Sequence, residues 1–343
     1  MNATGRTYAQ AGLANRSAEN VRVRSTSAPP CPLCASTATI HAFSDSGCDV
    51  RVCNICDLFF VHPRPHAFEQ HQRVSSGECP GIELLDCARR YEGECLYYDR
   101  HFDLIAQEIA GATSILDVGC GTGNLLERFA SRPNCHRLGI ELNPSAARVA
   151  RTAAQCEILE QPFETFRADR EFDVITMINV FSHLSSFDAM FRSLHAALAP
   201  NGRVILRTTE MSRRVSRWNQ VHWGVPDDLH FLGLNTLNHL CAKYGFAIAR
   251  HIRVPFENEL FRLSRWQQIG RSRSHNAIKR IATKVPGALA IARALYTAAL
   301  GQRLFISLIV LTPEYRVPQT PVAESACDGR FEGGDAQCRL QPR

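Results

Sequence analysis

The sequence predicts an α/β protein built on a Rossmann-like, largely parallel sheet, with a small metal-binding ribbon ahead of it. Three observations carry this. β-type runs alternate with amphipathic stretches from Ser114 onward, one of those runs enters a glycine cluster that opens a helix, and two CxxC pairs stand near the N-terminus.

Composition narrows the setting. The 343 residues, 45% of them hydrophobic, suffice for one large domain with appendages. The formal charge is +6 and the basic residues are nearly all arginine, Lys243, Lys279 and Lys284 being the lysines, so overall charge gives no argument for a nucleic-acid partner. No stretch of about 18 uncharged apolar residues is present to span a membrane. The N-terminus lacks an apolar secretory core, and Glu19 leaves a transit peptide a weak alternative. Of the fourteen cysteines, four form the CxxC pairs and the rest are scattered, which fits a reducing cytoplasm.

Residues 1–29 are polar and aperiodic and are expected to be disordered. Residues 30–65 form the ribbon. Cys31-Pro-Leu-Cys34 and Cys53-Asn-Ile-Cys56 are separated by eighteen residues, a zinc-ribbon spacing in which four thiolates close a tetrahedron. A closed site of this kind stabilises rather than catalyses, because a segment so short cannot build its own core. A redox pair or an iron site are the alternatives, and Cys48 is read as a bystander. An apolar strand from Asp57 onward is ended by Pro63 and Pro65.

Residues 66–100 are assigned to a helical linker or lid, in which Tyr97 and Tyr98 either close over a ligand or simply pack. The main domain takes residues 101–313. Its strands are expected at Ser114–Val118, Arg137–Glu141, Phe172–Met177, Arg203–Arg207, Phe246–Val254 and Leu304–Leu311. Helices are expected at Asn124–Ala130, Ser145–Ala154 and Leu234–Tyr244, the last capped by Gly245. Residues 255–303 read as a basic helical insertion before the last strand, carrying Arg262, Arg265, Arg271, Arg273, Lys279, Arg280, Lys284, Arg293 and Arg303. Residues 314–343 are expected to be a disordered tail.

Ile115-Leu-Asp-Val-Gly-Cys-Gly-Thr-Gly-Asn124 is an apolar strand running into a glycine turn, where the backbone approaches a ligand closely and a helix N-terminus offers unpaired N–H groups. Asn124 stands where a dinucleotide fingerprint wants its third glycine, which counts against NAD. Glu141 ends the following strand, where a carboxylate can accept from both ribose hydroxyls.

With Gly-Ile-Glu-Leu-Asn-Pro144, this turn resembles motif I and the acidic strand end of class I S-adenosylmethionine-dependent methyltransferases, and the similarity runs over roughly Tyr98–Thr312. The resemblance implies a seven-stranded methyltransferase sheet. It implies that Asp117, Gly119, Gly121 and Gly123 line the methionine side of S-adenosyl-L-methionine, that Glu141 holds the ribose, and that Leu159–Phe163, including Glu160, contacts adenine. Phe172–Asn179 resembles the motif at the fourth strand, with Asn179 at its end. Ala199-Pro-Asn-Gly-Arg203 resembles the turn before the fifth. Similar proteins often carry Glu-His after the fourth strand; here Ser182-His183 stands there, so the acidic role is unassigned. The cysteine pairs, with the apolar strand and Pro-Arg-Pro65 behind them, are similar to bacterial methyltransferases with an N-terminal zinc-binding domain, among them sugar C-methyltransferases.

Methyl transfer from a sulfonium is an in-line displacement that needs a base only where the acceptor must lose a proton. His230 and His222, in the stretch after the fifth strand, are the leading base candidates, with His183 third; the alternative for each is a structural histidine. The expected activity is methylation of a small or carrier-linked metabolite, a sugar or a polysaccharide or natural-product precursor. Ribosomal-RNA base methylation and non-catalytic cofactor binding are the alternatives. Within the ribbon only Arg51 and Arg64 are cations, which argues against RNA. The basic insertion suits a nucleotide-linked substrate or an anionic membrane surface, or is a solvated face.

Overall fold

The structure is a computed structural model that describes residues 28–45, 47–76, 103–213, 225–255 and 305–314, with a few helical positions between 287 and 295. The ribbon supplies β1 (Thr39–Asp45), β2 (Cys48–Cys53) and β3 (Phe59–His62), and α1 (Ala67–Ser76) follows. The main domain supplies β4 (Ser114–Val118), α2 (Asn124–Glu127), β5 (His136–Ile140), α3 (Pro144–Ala154), β6 (Glu157–Leu159) and β7 (Phe172–Ile178). It continues with α4 (Phe187–Ala197), β8 (Leu198–Glu210), β9 (His230–Phe231), α5 (Thr236–Tyr244), β10 (Phe246–Pro255) and β11 (Phe305–Pro313).

Seven strands form one sheet in the order β10-β11-β8-β7-β4-β5-β6. The pairs β4–β5, β4–β7, β5–β6 and β7–β8 are parallel, and β11 inserts antiparallel between β8 and β10. This is the α/β, Rossmann-like methyltransferase fold. Both faces of its central strand are covered: Ile115, Leu116 and Val118 of β4 are all buried, and so is Asp117 between them. Helix α3 starts where Asn143 accepts hydrogen bonds from Ser145 N and Ala146 N, with Pro144 at its first turn. Its buried face is Ala146, Ala147, Ala150 and Ala154, small enough to lie against the glycine turn. Among the described residues no helix is long and apolar enough to cross a membrane.

A second sheet has the antiparallel order β1-β2-β3-β9, and its fourth strand comes from the main domain: Phe59 pairs Phe231 and Phe60 pairs His230. Ribbon and domain therefore share a core. Cys31, Leu33, Cys53, Cys56, Leu58 and Phe60 pack in one buried cluster with Leu116, Phe181, Leu232 and Leu237.

Several elements depart from the sequence expectation. The Ala199–Arg203 segment, expected as a turn, lies inside β8, where pairing with β7 shifts register between Phe172 and Val174. Gly202 permits the close fold there, since a Cβ would come within 2.9 Å of both Ala199 O and Phe172 O. The helix expected from Leu234 begins at Thr236, because Gly233 and Asn235 are used in docking on the ribbon. Helix α2 ends at Glu127, short of Ala130. The three-residue β6 was not anticipated, too short to show a period. Tyr97, Tyr98, His222 and most of the 255–303 insertion lie outside the described residues.

Candidate active site

The parallel strands deliver their C-terminal ends to one edge, the place where α/β folds bind ligands. At the end of β4, Gly119, Gly121 and Gly123 take φ of +65°, +56° and +85°, values that side-chain-bearing residues rarely adopt. A Cβ on Gly119 would lie 2.2 Å from Val180 Cγ2, and one on Gly123 would lie 2.9 Å from Ala150 Cα. Two of the glycines thus serve packing as well as backbone conformation. Beneath the turn, Asp117 accepts from Thr176 Oγ1 at 2.6 Å.

Glu141, at the end of β5, accepts from Gly121 N at 2.9 Å through Oε2 and from Asn143 N at 2.8 Å through Oε1. These bonds fix the carboxylate beside the turn. The amide of Asn124 is buried at the mouth of α2, and its Nδ2 has no hydrogen-bond partner among the described residues. An orphaned buried donor, a glycine turn and a fixed acidic strand end are what an S-adenosylmethionine-type ligand requires, so the residues fit that group. Glu160 pairs with Arg151 at 2.8 Å on the rim beyond β6. Asn179 takes φ of +58° at the end of β7, and its Oδ1 accepts from Arg207 Nη1.

Past β7, a short turn of 3₁₀-helix holds Phe181–His183. His183 Nδ1 lies 2.9 Å from Asp227 O and 3.6 Å from Asp228 Oδ1. A nitrogen this close to a carbonyl carries the proton, so in the neutral ring Nε2 is left as the acceptor. His230 sits differently. It is fully buried, its ring centroid 4.9 Å from Phe181 and 4.4 Å from Phe187, and neither ring nitrogen has a hydrogen-bond partner among the described residues. Burial, with the Arg64 guanidinium adding, holds its pKa well below the usual imidazole range; a backbone group of Phe181 pulls the other way without reaching hydrogen-bond geometry.

Sequence reasoning missed Asp228. Burial raises its pKa, with the nearby Asp227 adding and His183 and the Ser182 hydroxyl opposing. The signal was faint, since Asp227-Asp228 lies 44 residues or more beyond the turn it faces.

The four ribbon cysteines bring their Sγ atoms within 4.8 Å of one another. Cys31 to Cys56 and Cys34 to Cys53 are each 3.5 Å, far beyond a disulfide and close to the about 3.8 Å that tetrahedral zinc–thiolate bonds would set. The cluster is consistent with a zinc ribbon. A hydrogen bond from Cys56 lowers the Cys31 thiol to about 5, and the same contact raises Cys56. The knuckle is tied to the main domain on several sides. Thr236 Oγ1 donates to Cys56 O at 2.9 Å, Asp57 accepts from Arg213 at 2.8 Å and Asn235 at 2.7 Å, and Lys243 donates to Leu33 O at 3.1 Å.

The family comparison agrees with the fold. Residues 88–251 match the family described as "Methyltransferase domain", beginning after the ribbon. The ubiquinone biosynthesis O-methyltransferase of Xanthomonas euvesicatoria is 32% identical over 108 residues, 29% of this chain and 44% of the relative. That of Idiomarina loihiensis is 27% identical over 159 residues, 44% of this chain and 58% of the relative. The chain thus spans about half the length of these curated relatives. Among solved structures, a mycolic acid cyclopropane synthase complexed with S-adenosylhomocysteine is similar with a TM-score of 0.49 at 15% identity, over 72% of this chain and 98% of that one.

Proposed function

From a chain whose residues 88–251 carry a methyltransferase domain, we propose an S-adenosyl-L-methionine-dependent methyltransferase acting on a hydroxyl of a small or carrier-linked metabolite, a sugar or a polysaccharide or natural-product precursor. The observation that carries this reading is a shared edge: the glycine turn, Glu141 and His183 all stand at the C-terminal ends of parallel strands of one sheet. The relatives named O-methyltransferases support a hydroxyl acceptor.

Asp117, Gly119, Gly121 and Gly123 would line the methionine side, Glu141 the ribose, and Glu160 and Asn179 the rim. S-adenosylmethionine, when bound, would supply a methyl group on a sulfonium, with the sulfur as the leaving group that keeps the carbon–sulfur electron pair. Of the three histidines named from sequence, His183 suits the base. Its Nδ1 is committed to a carbonyl, its side chain is 32% exposed, and Nε2 is free to take the acceptor proton. His230 suits a structural role, sealed between Phe181 and Phe187. The Cys31, Cys34, Cys53 and Cys56 site would hold zinc structurally, and the basic insertion would meet an anionic, nucleotide-linked substrate.

Titration with S-adenosylhomocysteine followed by tritiated methyl transfer to nucleotide sugars, small hydroxylated metabolites and total RNA tests the reading. Transfer to a small acceptor is expected. Absence of S-adenosylhomocysteine binding by folded, metal-loaded protein removes it, and labelling of RNA alone replaces it with the RNA alternative.

A further inference from the structure

We propose that Asp228 is the carboxylate partner of His183, positioned by Ser182, and that the loop after β8 thereby provides the acid that the end of β7 lacks. The chemistry rests on the methyl-transfer reading above, whereas the contact itself does not.

The loop is stitched to the turn by two bonds. The Ser182 hydroxyl donates to Asp228 Oδ1, and Leu229 N donates to Ser182 O at 2.8 Å. A serine at this position cannot serve as an acid, but its hydroxyl can hold one from elsewhere. The same oxygen, Asp228 Oδ1, lies 3.6 Å from His183 Nδ1. The Asp227 carbonyl fixes the tautomer, and the Asp228 carboxylate lies on the Nδ1 side of the ring.

During transfer, the acceptor O–H bond breaks and its proton moves to His183 Nε2. The oxygen electron pair goes to the methyl carbon, whose bond to sulfur breaks with its electron pair leaving on the thioether. His183 becomes an imidazolium, whose positive charge faces Asp228, and later releases the proton to water. An opposite charge within about 4 Å favours the charged form of a titrating group, so Asp228 would stabilise the state His183 must reach.

Among the described residues, the other charged groups nearby are otherwise occupied. Asp227 pairs with Arg73 of α1 at 2.8 Å. Glu164 accepts from Ser185 and lies 3.7 Å from His71 of α1. Arg64 donates to Ser185 O at 3.0 Å, and His230 is buried and neutral. Asp228 is a positioning residue here, since it acts through His183.

The test needs no knowledge of the acceptor. Full-length, metal-loaded protein with ¹⁵N-labelled histidine is titrated by NMR, the His183 signals being identified by their loss in His183→Gln. Asp228→Asn retains the shape and the acceptor for Ser182, and is expected to move the His183 titration down by about one pH unit. Asp228→Glu should recover part of that shift, and Ser182→Ala should give a smaller shift in the same direction. A His183 titration unchanged in folded Asp228→Asn overturns the proposal; should that variant not fold, an unchanged Ser182→Ala overturns it equally. S-adenosylhomocysteine affinity, measured calorimetrically, should stay within about twofold across the Asp228 and Ser182 variants. Loss of that binding in the unaltered protein would end the methyl-transfer reading while leaving the His183–Asp228 coupling to stand on the titration.

Discussion

The seven-stranded sheet is completed by β11, a nine-residue strand that enters between β8 and β10 with its own buried apolar run, while the four-stranded sheet is completed by β9, two residues lent by the loop after β8. A strand like β11 holds itself in place through its ladder and its side chains. A strand like β9 cannot, and relies on bonds around the cysteine knuckle. The two sides of the candidate active site inherit this difference: Glu141 and the glycine turn stand on the large sheet, whereas Asp228 sits two residues before β9. Cofactor binding and base positioning should therefore respond separately to damage in the ribbon.

Removing the metal ligands is the widest wedge between the two. Cys53→Ser with Cys56→Ser, or strong chelation, is expected to cost several kcal/mol of ribbon stability and to expose amides of 229–232 to hydrogen exchange, with S-adenosylhomocysteine affinity reduced far less. Equal loss of both would erase the distinction. On the other side, Glu141→Ala removes a charged acceptor and should weaken S-adenosylhomocysteine binding at least about tenfold in calorimetry, with exchange in 229–232 unchanged.

Thr236→Val breaks two buried bonds at the seam, from Gly233 N at 2.9 Å and to Cys56 O at 2.9 Å. A stability loss of about 1–3 kcal/mol in denaturant unfolding is expected, again with little change in cofactor affinity. The smallest effect is a pH dependence. His230 stays neutral in the folded chain because burial depresses its pKa, whereas the unfolded chain takes up a proton as pH falls through about 6.5. Acid therefore favours unfolding, and the stability contributed by the neutral ring is lost below that pH, at no more than about 1.4 kcal/mol per pH unit. His230→Phe should flatten the slope of melting temperature between pH 7.5 and 5.5; an unchanged slope would place the titrating group elsewhere.

The large sheet was legible because its information is local. Ile115–Val118 is an uninterrupted buried run, Gly119, Gly121 and Gly123 carry their backbone demand in their identity, and Asn143-Pro144 announces a helix start. Cys31, Cys34, Cys53 and Cys56 were legible by spacing, and their sulfurs do converge. What sequence reasoning could not reach was contact across long separations. His230 looked like a base because it follows the fifth strand, near the C-terminal edge of the sheet where ligands bind, yet pairing with Phe60 buries it. Asp228 carries no motif of its own, and only the fold brings it to Ser182.

The donated strand also has a consequence in time. Phe59–His62 leaves the ribosome about 170 residues ahead of His230–Phe231, roughly ten to thirty seconds at about 5–20 residues per second. Throughout that interval the Phe59-Phe60-Val61 edge has no partner on one side, the condition under which nascent strands pair with the wrong chain. Capture of a metal ion by the first sixty residues would let the ribbon wait in a compact form until the rest of the polypeptide arrives to cover it.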